Sequence, residues 1–270
     1  MCFLYFRNRA PGHIVRLPGK APSSHCNPLL LKTKVGMLVV CILSCGFLFP
    51  LGLSGQHSVK HSNAIWSNYN NSIRLDSHWS VVNDVQVRTK DGIDKWSLFA
   101  LRTGAVYKPS QHVAVAGGIA WFGTMNYFPD KTLLANEWRT WEEVSYINNV
   151  KLLKITQRVR LEQRFLQKLL DGKRTHDFET RQRLRYRFEV GYPVYNEKVM
   201  LYAGNEVMGN LNYLKDNRFF DQNRTFLTVE TKLTGSTTFQ FQYIRLQQWR
   251  AATNVLEIIN VFRGSIHQRF

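Results

Sequence analysis

Between Asp177 and Val190 every second side chain from Glu179 onward is charged. Glu179, Arg181, Arg183, Arg185, Arg187 and Glu189 alternate with Phe178, Thr180, Gln182, Leu184, Tyr186, Phe188 and Val190. A guanidinium group presents a rigid fork of donors that grips two oxygens of a carboxylate or phosphate at once. Four arginines in a row, closed by a glutamate at each end, can therefore hold an oxyanion or lock onto carboxylates of the same chain. Residues 155–165 repeat the arrangement, with Thr156, Arg158, Arg160, Glu162 and Arg164 set against Ile155, Val159, Leu161, Phe165 and the weaker Gln157 and Gln163. The two charged faces together carry seven arginines and three glutamates, and Glu206, Arg224 and Glu230 are further candidates for the same ladder.

Other chemistry is thinly represented. From Gln56 onward the histidines are His57, His61, His78, His112, His176 and His267, and none sits in a nucleophile motif such as Gly-x-Ser-x-Gly. His57 and His61 do not make a metal cluster, and there is no zinc-finger spacing and no Gly-rich phosphate loop. No catalytic residue, metal or cofactor is expected.

Side chains on a strand point alternately to opposite faces, so both charged runs read as strands with one apolar and one charged face. The polar stretch Asp171–His176 between them suits antiparallel neighbours. Two settings fit such strands. One is a solvated, salt-bridged face of an ordinary antiparallel sheet. The other is the wet interior of a barrel whose outside is lipid.

The ends of the chain favour the barrel. All four cysteines, Cys2, Cys26, Cys41 and Cys45, fall in the first 45 residues, and residues 1–55 contain no Asp or Glu. A basic segment is followed by an apolar core over 37–53 and the small pair Ser54-Gly55, the layout of a secretory signal peptide. A membrane anchor needs about 20 apolar residues, and Pro50 and Gly52 interrupt this run. Acylation at Cys45 is disfavoured by the apolar residues that follow it. Residues 1–55 are thus expected to be a leader and 56–270 the working domain. Removing the leader's six positive charges leaves 30 Lys+Arg against 19 Asp+Glu, a net of +11 from a total of +17. Such a basic excess often marks nucleic-acid binding, but an exported chain without an RNP-like motif points elsewhere. The chain ends on Phe270, with Phe262, Gly264 and Ile266 on the same face. That pattern resembles the terminal strand by which the insertion machinery recognises bacterial outer-membrane barrels.

The rest divides into runs of similar length: 62–75, 79–88, 96–107, 112–122, 137–148, 198–208, 221–233 and 237–248. Each is close to the 9–11 residues that cross a bilayer at a tilt. Short turns are expected at Asp76-Ser77, Lys108–Ser110, Asn148-Asn149 and Thr234–Ser236. Longer loops are expected at 123–136, 168–177, 209–220 and 248–253. Trp66, Trp79, Trp96, Trp121, Tyr127, Trp138, Trp141 and Trp249 lie near strand ends, as interfacial girdles do. The count is eleven runs. Placing both termini at one rim requires an even number, so the expected fold is an all-β, antiparallel up-and-down transmembrane barrel of about twelve strands, with ten as the alternative.

Leu161-Glu-Gln-Arg-Phe165, the arginine run at 181–187, Asn205-Glu206 and Asp221-Gln-Asn-Arg224 resemble recurring motifs of the family catalogued as domain of unknown function 2490, over roughly residues 60–270. The resemblance implies a Gram-negative outer-membrane β-barrel with no established activity. Three functional expectations follow: a narrow anion-preferring pore with an Arg/Glu-lined lumen, a closed structural or adhesive barrel, or an outer-membrane lipid hydrolase. The partners expected are outer-membrane lipid, the barrel-insertion machinery and small anions.

Overall fold

The structure, a computed structural model, describes residues 58–195, 198–212, 219–250 and 255–270. The leader over 1–55, its apolar core and His57 lie outside the described residues. Eleven strands form among the described residues: β1 (Val59–Arg74), β2 (Trp79–Lys90), β3 (Lys95–Tyr107), β4 (Val113–Tyr127), β5 (Thr132–Val150), β6 (Leu153–Leu170), β7 (Lys173–Tyr195), β8 (Val199–Asn210), β9 (Phe220–Lys232), β10 (Thr237–Arg250) and β11 (Val255–Arg269). They pair in chain order into a closed barrel. Every seam is antiparallel except the last, where β1 runs parallel to β11 from Val59↔Leu256 to Ser72↔Arg269.

This closure corrects the expected twelve strands. The parity argument assumed that first and last strands start at opposite rims. In an up-and-down chain with an odd number of strands they point the same way, so a parallel seam closes the barrel without a twelfth. Val59–Ser62 are simply the beginning of β1. At one rim Leu256 N donates to Ser58 O at 3.2 Å; at the other, Phe270 N donates to Ser72 O and Arg74 N to Phe270 O, both at 2.9 Å.

The rim that holds Phe270 carries the connections at 75–78, 108–112, 151–152 and 233–236, with Tyr195 at the end of β7 and Lys198 next to the start of β8. Asp76 shapes the first of these, its Oδ1 accepting from the backbone N–H of His78 at 2.7 Å and of Trp79 at 2.8 Å. Those two bonds hold its carboxyl below its ordinary pKa. The reversal expected at Asn148-Asn149 occurs later, at Lys151-Leu152, where Lys151 adopts φ 54°. At the opposite rim the long loops expected at 123–136 and 168–177 are mostly strand. Asp171 and Gly172 make a two-residue turn with φ 47° and 64°, the left-handed pair that Asp-Gly supplies to tight hairpins. Lys173 and Arg174 then open β7, paired with Leu170 and Leu169 because β6 offers a ladder for their backbone groups, and Thr175–Asp177 take up a register shift before Gln167↔Phe178.

Alternation sorts side chains into two environments. Every strand places a large apolar residue outward, exposed on the barrel's exterior: Ile73, Val85, Leu101, Ile119, Val144, Val159, Tyr192, Leu201, Leu227, Phe241 and Phe262. On β8 to β11 and β1 the outer face turns polar toward the rim away from Phe270. Asn205, Thr225, Arg245, Asn260 and Asn63 follow one another in register. Asn205 Nδ2 donates to Thr225 Oγ1 at 3.0 Å, and Asn260 Nδ2 to Asn63 Oδ1 at 3.3 Å. Glu142 also faces outward, where Gln163 Nε2 donates to it at 3.1 Å.

Trp79, Trp96 and Trp138 are exposed on the exterior, as a girdle requires, but Trp66 and Trp141 are buried inside the barrel. Their register explains the correction: Trp66 shares its parity with Ala64 and Asn68, and Trp141 with Arg139 and Glu143. Each anchors a small apolar patch on the inner wall. One joins Trp66 to Phe226, Ile244, Leu246 and Val261; the other joins Trp141 to Ala100, Ala120 and Phe122. Gly104 makes room for the second, since a Cβ there would meet the Trp141 ring at 2.5 Å.

Candidate functional site

The barrel encloses a cavity of about 630 Å³ toward the rim away from Phe270, and a second of about 420 Å³ toward the Phe270 rim. Asp84, Arg102, Trp141, Glu143, Arg158 and Arg160 are among the residues that line both. The Arg160 guanidinium lies 4.7 Å from the Trp141 ring.

The charged faces of β6 and β7 point into the larger cavity. Arg158, Arg160, Glu162 and Arg164 from β6, and Arg183, Arg185, Arg187 and Glu189 from β7, all line it. Glu206 of β8 and Arg224 of β9 join them. The strands are in register so that arginine often faces arginine, as in Arg158↔Arg187 and Arg160↔Arg185. Like charges directly opposite one another are unfavourable, so the glutamates are placed to bridge them. Glu206 receives Arg158 Nη2 at 2.5 Å, Arg185 Nη2 at 2.9 Å and Arg224 Nη1 at 3.5 Å. Glu162 receives Arg185 Nη1 at 2.5 Å, with Arg139 Nη1 at 3.2 Å and Arg160 Nη1 at 3.9 Å. Both carboxylates are almost fully buried. Arg187 pairs with Glu189 on its own strand.

Three predicted positions lie elsewhere. Glu179 and Arg181 pair at 2.9 Å at the rim, Glu179 exposed and Arg181 half-buried, beyond the point where the β7–β8 pairing ends at Arg183↔Asn210. Glu230 lines the smaller cavity, where Tyr202 Oη donates to it at 3.3 Å. Phe270 ends the seam, its backbone bonded to β1 and its ring 64% exposed.

Several lumen residues escaped the sequence reading. Glu137 takes Arg164 bidentately (Nε at 2.5 Å, Nη2 at 3.1 Å) and Arg139 Nε at 2.6 Å. Glu143 takes Arg160 Nη2 at 2.6 Å. Asp84 pairs with Arg102 at 3.2 Å, and Arg183 with Asp221 at 2.7 Å. Arg88 and Arg263 also enter the cavity. The available signal was parity: Glu137, Arg139, Trp141, Glu143 and Ser145 alternate along β5 much as the arginines do along β7.

With these residues counted, the larger cavity is lined by eleven arginines and Lys90 against six carboxylates. The ion pairs bind much of this charge, yet the excess is positive. In a confined space walled by protein, field lines concentrate and favour a counter-ion of opposite sign. No group of His, Cys, Asp and Glu able to hold a metal occurs among the described residues. His78 Nδ1 lies 2.8 Å from Ser77 Oγ, but the neighbouring Asp76 is engaged by backbone N–H groups and does not orient the imidazole.

The family model described as protein of unknown function (DUF2490) matches residues 63–257. The chain belongs to the DUF2490 family. No curated protein matches it. Among solved structures, this DUF2490 barrel is similar to the crystal structure of the beta domain of the Bordetella autotransporter BrkA. The likeness has a TM-score of 0.42 and 10% identity, and covers 64% of this chain and 78% of that one.

Proposed function

We propose that this barrel sits in the outer membrane of a Gram-negative bacterium and forms a narrow passage that prefers anions. The observation that carries the reading is the arginine excess in the larger cavity, combined with an exterior on which every strand exposes large apolar side chains. A closed barrel satisfies its backbone groups internally, which is the condition for strands in lipid. The leader at 1–55 is proposed as the export signal, and the exposed ring of Phe270 as the feature the insertion machinery binds. Small anions entering the lumen meet guanidinium groups already held in place by Glu162 and Glu206. Lysines on flexible stems would lack that fixed geometry. The stacked Trp141 and Arg160 side chains line the path through both cavities. The test is conductance of refolded protein in planar bilayers. Wild type is expected to conduct, and Arg183→Glu, which reverses a charge on the cavity wall, is expected to conduct chloride less well relative to potassium. A silent wild type contradicts the passage and favours a closed structural barrel.

A further inference from the structure

Arg88 and Arg263 stand apart from the carboxylate network, since neither makes an ion pair among the described residues. Arg88 Nη2 donates to the Gln86 side chain at 2.6 Å, and its guanidinium lies 4.0 Å above the Trp66 ring. The strand register places Arg88, Trp66 and Arg263 side by side on β2, β1 and β11. Arg224 reaches the same indole from β9, with its guanidinium 5.4 Å from the ring. All three arginines line the larger cavity, and the Nε of each is buried without a hydrogen-bond partner among the described residues.

Two costs are thus gathered at one spot. A buried N–H without an acceptor forfeits its solvation, and cations converging on one ring repel. Stacking on the indole covers the face of the Arg88 guanidinium, and beside the bond to Gln86 its in-plane edge still carries an Nε–H with no acceptor among the described residues. An acceptor with several oxygens and negative charge relieves both costs together; chloride, with one centre, does not match the forks. We propose that Arg88, Arg224 and Arg263, gathered around Trp66, form a binding site for a phosphate-class oxyanion inside the lumen. This deepens the anion-preferring reading by naming the ligand class.

The test is calorimetric titration of the full chain, refolded in detergent, with inorganic phosphate at fixed ionic strength. A parallel titration uses O-phosphoethanolamine, the monoester of a lipid headgroup. Saturable binding is expected in wild type and in Lys173→Gln, which removes a charge outside the cavity. Binding weaker by roughly tenfold or more is expected in the Arg88→Gln/Arg263→Gln double variant. Tighter binding of inorganic phosphate identifies a free ion as the ligand, and tighter binding of the ester identifies a headgroup. Heat-modifiable gel migration checks that each barrel is folded. Absence of saturable binding in folded wild type overturns the site, as does equal affinity in the double variant or equivalent displacement by chloride. Conductance is read separately, so a silent but phosphate-binding barrel contradicts the passage and not the site.

Discussion

Glu162 and Glu206 show how a lumen crowded with arginine holds together. Each carboxylate is shared by three guanidiniums drawn from different strands. Such a pair is weak evidence of net stabilisation, because both ions lose water on burial. Removing one partner is a different matter, since Arg139, Arg160 and Arg185 each lose one of their two carboxylates in a buried setting. Glu162→Gln is therefore expected to lower unfolding stability by about 3–5 kcal/mol. Glu179→Gln, at the exposed pair with Arg181, should cost at most about 1 kcal/mol. Urea titration in micelles, followed by tryptophan fluorescence, measures both, and equal losses would contradict the bridging role. Glu162 was readable from the sequence because it interrupts an arginine run at period two. Glu137, Glu143 and Arg139 were not singled out, since their strand mixes tryptophan and charge on one face and neither type dominates.

At the scale of elements, alternation located β6 and β7, while their ends depended on pairing. Lys173–His176 look like a loop by composition, yet the left-handed Asp171-Gly172 turn reverses the chain early and gives Lys173 and Arg174 partners on β6. The inward turn of Trp66 and Trp141 was available from parity, but proximity to strand ends suggested a girdle instead. Closure was less accessible, because local pattern carries no information on which distant strands meet. The β1–β11 seam can be tested directly. Ser67 and Gly264 are register partners on the outer face. A Cβ at Gly264 would find only an ordinary contact with Phe239. Neighbouring strands lie about 4.8 Å apart, within disulfide range. In the cysteine-free chain from Gln56 onward, Ser67→Cys/Gly264→Cys is expected to form an intramolecular cross-link, visible as a shift on non-reducing gels. A strand inserted between β1 and β11 would prevent it.

In the barrel as a whole, an exterior with large apolar side chains surrounds a basic interior, whose two cavities share Arg102, Arg158, Arg160 and Trp141 in their walls. The sign of the interior depends on residues scattered over many strands, so the two arginine runs alone showed its character but not its balance. That balance is the central claim. Its most direct measurement is the reversal potential of the refolded barrel in a planar bilayer under a potassium chloride gradient. An anion-preferring lumen is expected to shift the potential toward the chloride equilibrium value, with a smaller shift at high salt as the wall charges are screened. A potential on the potassium side would contradict the account.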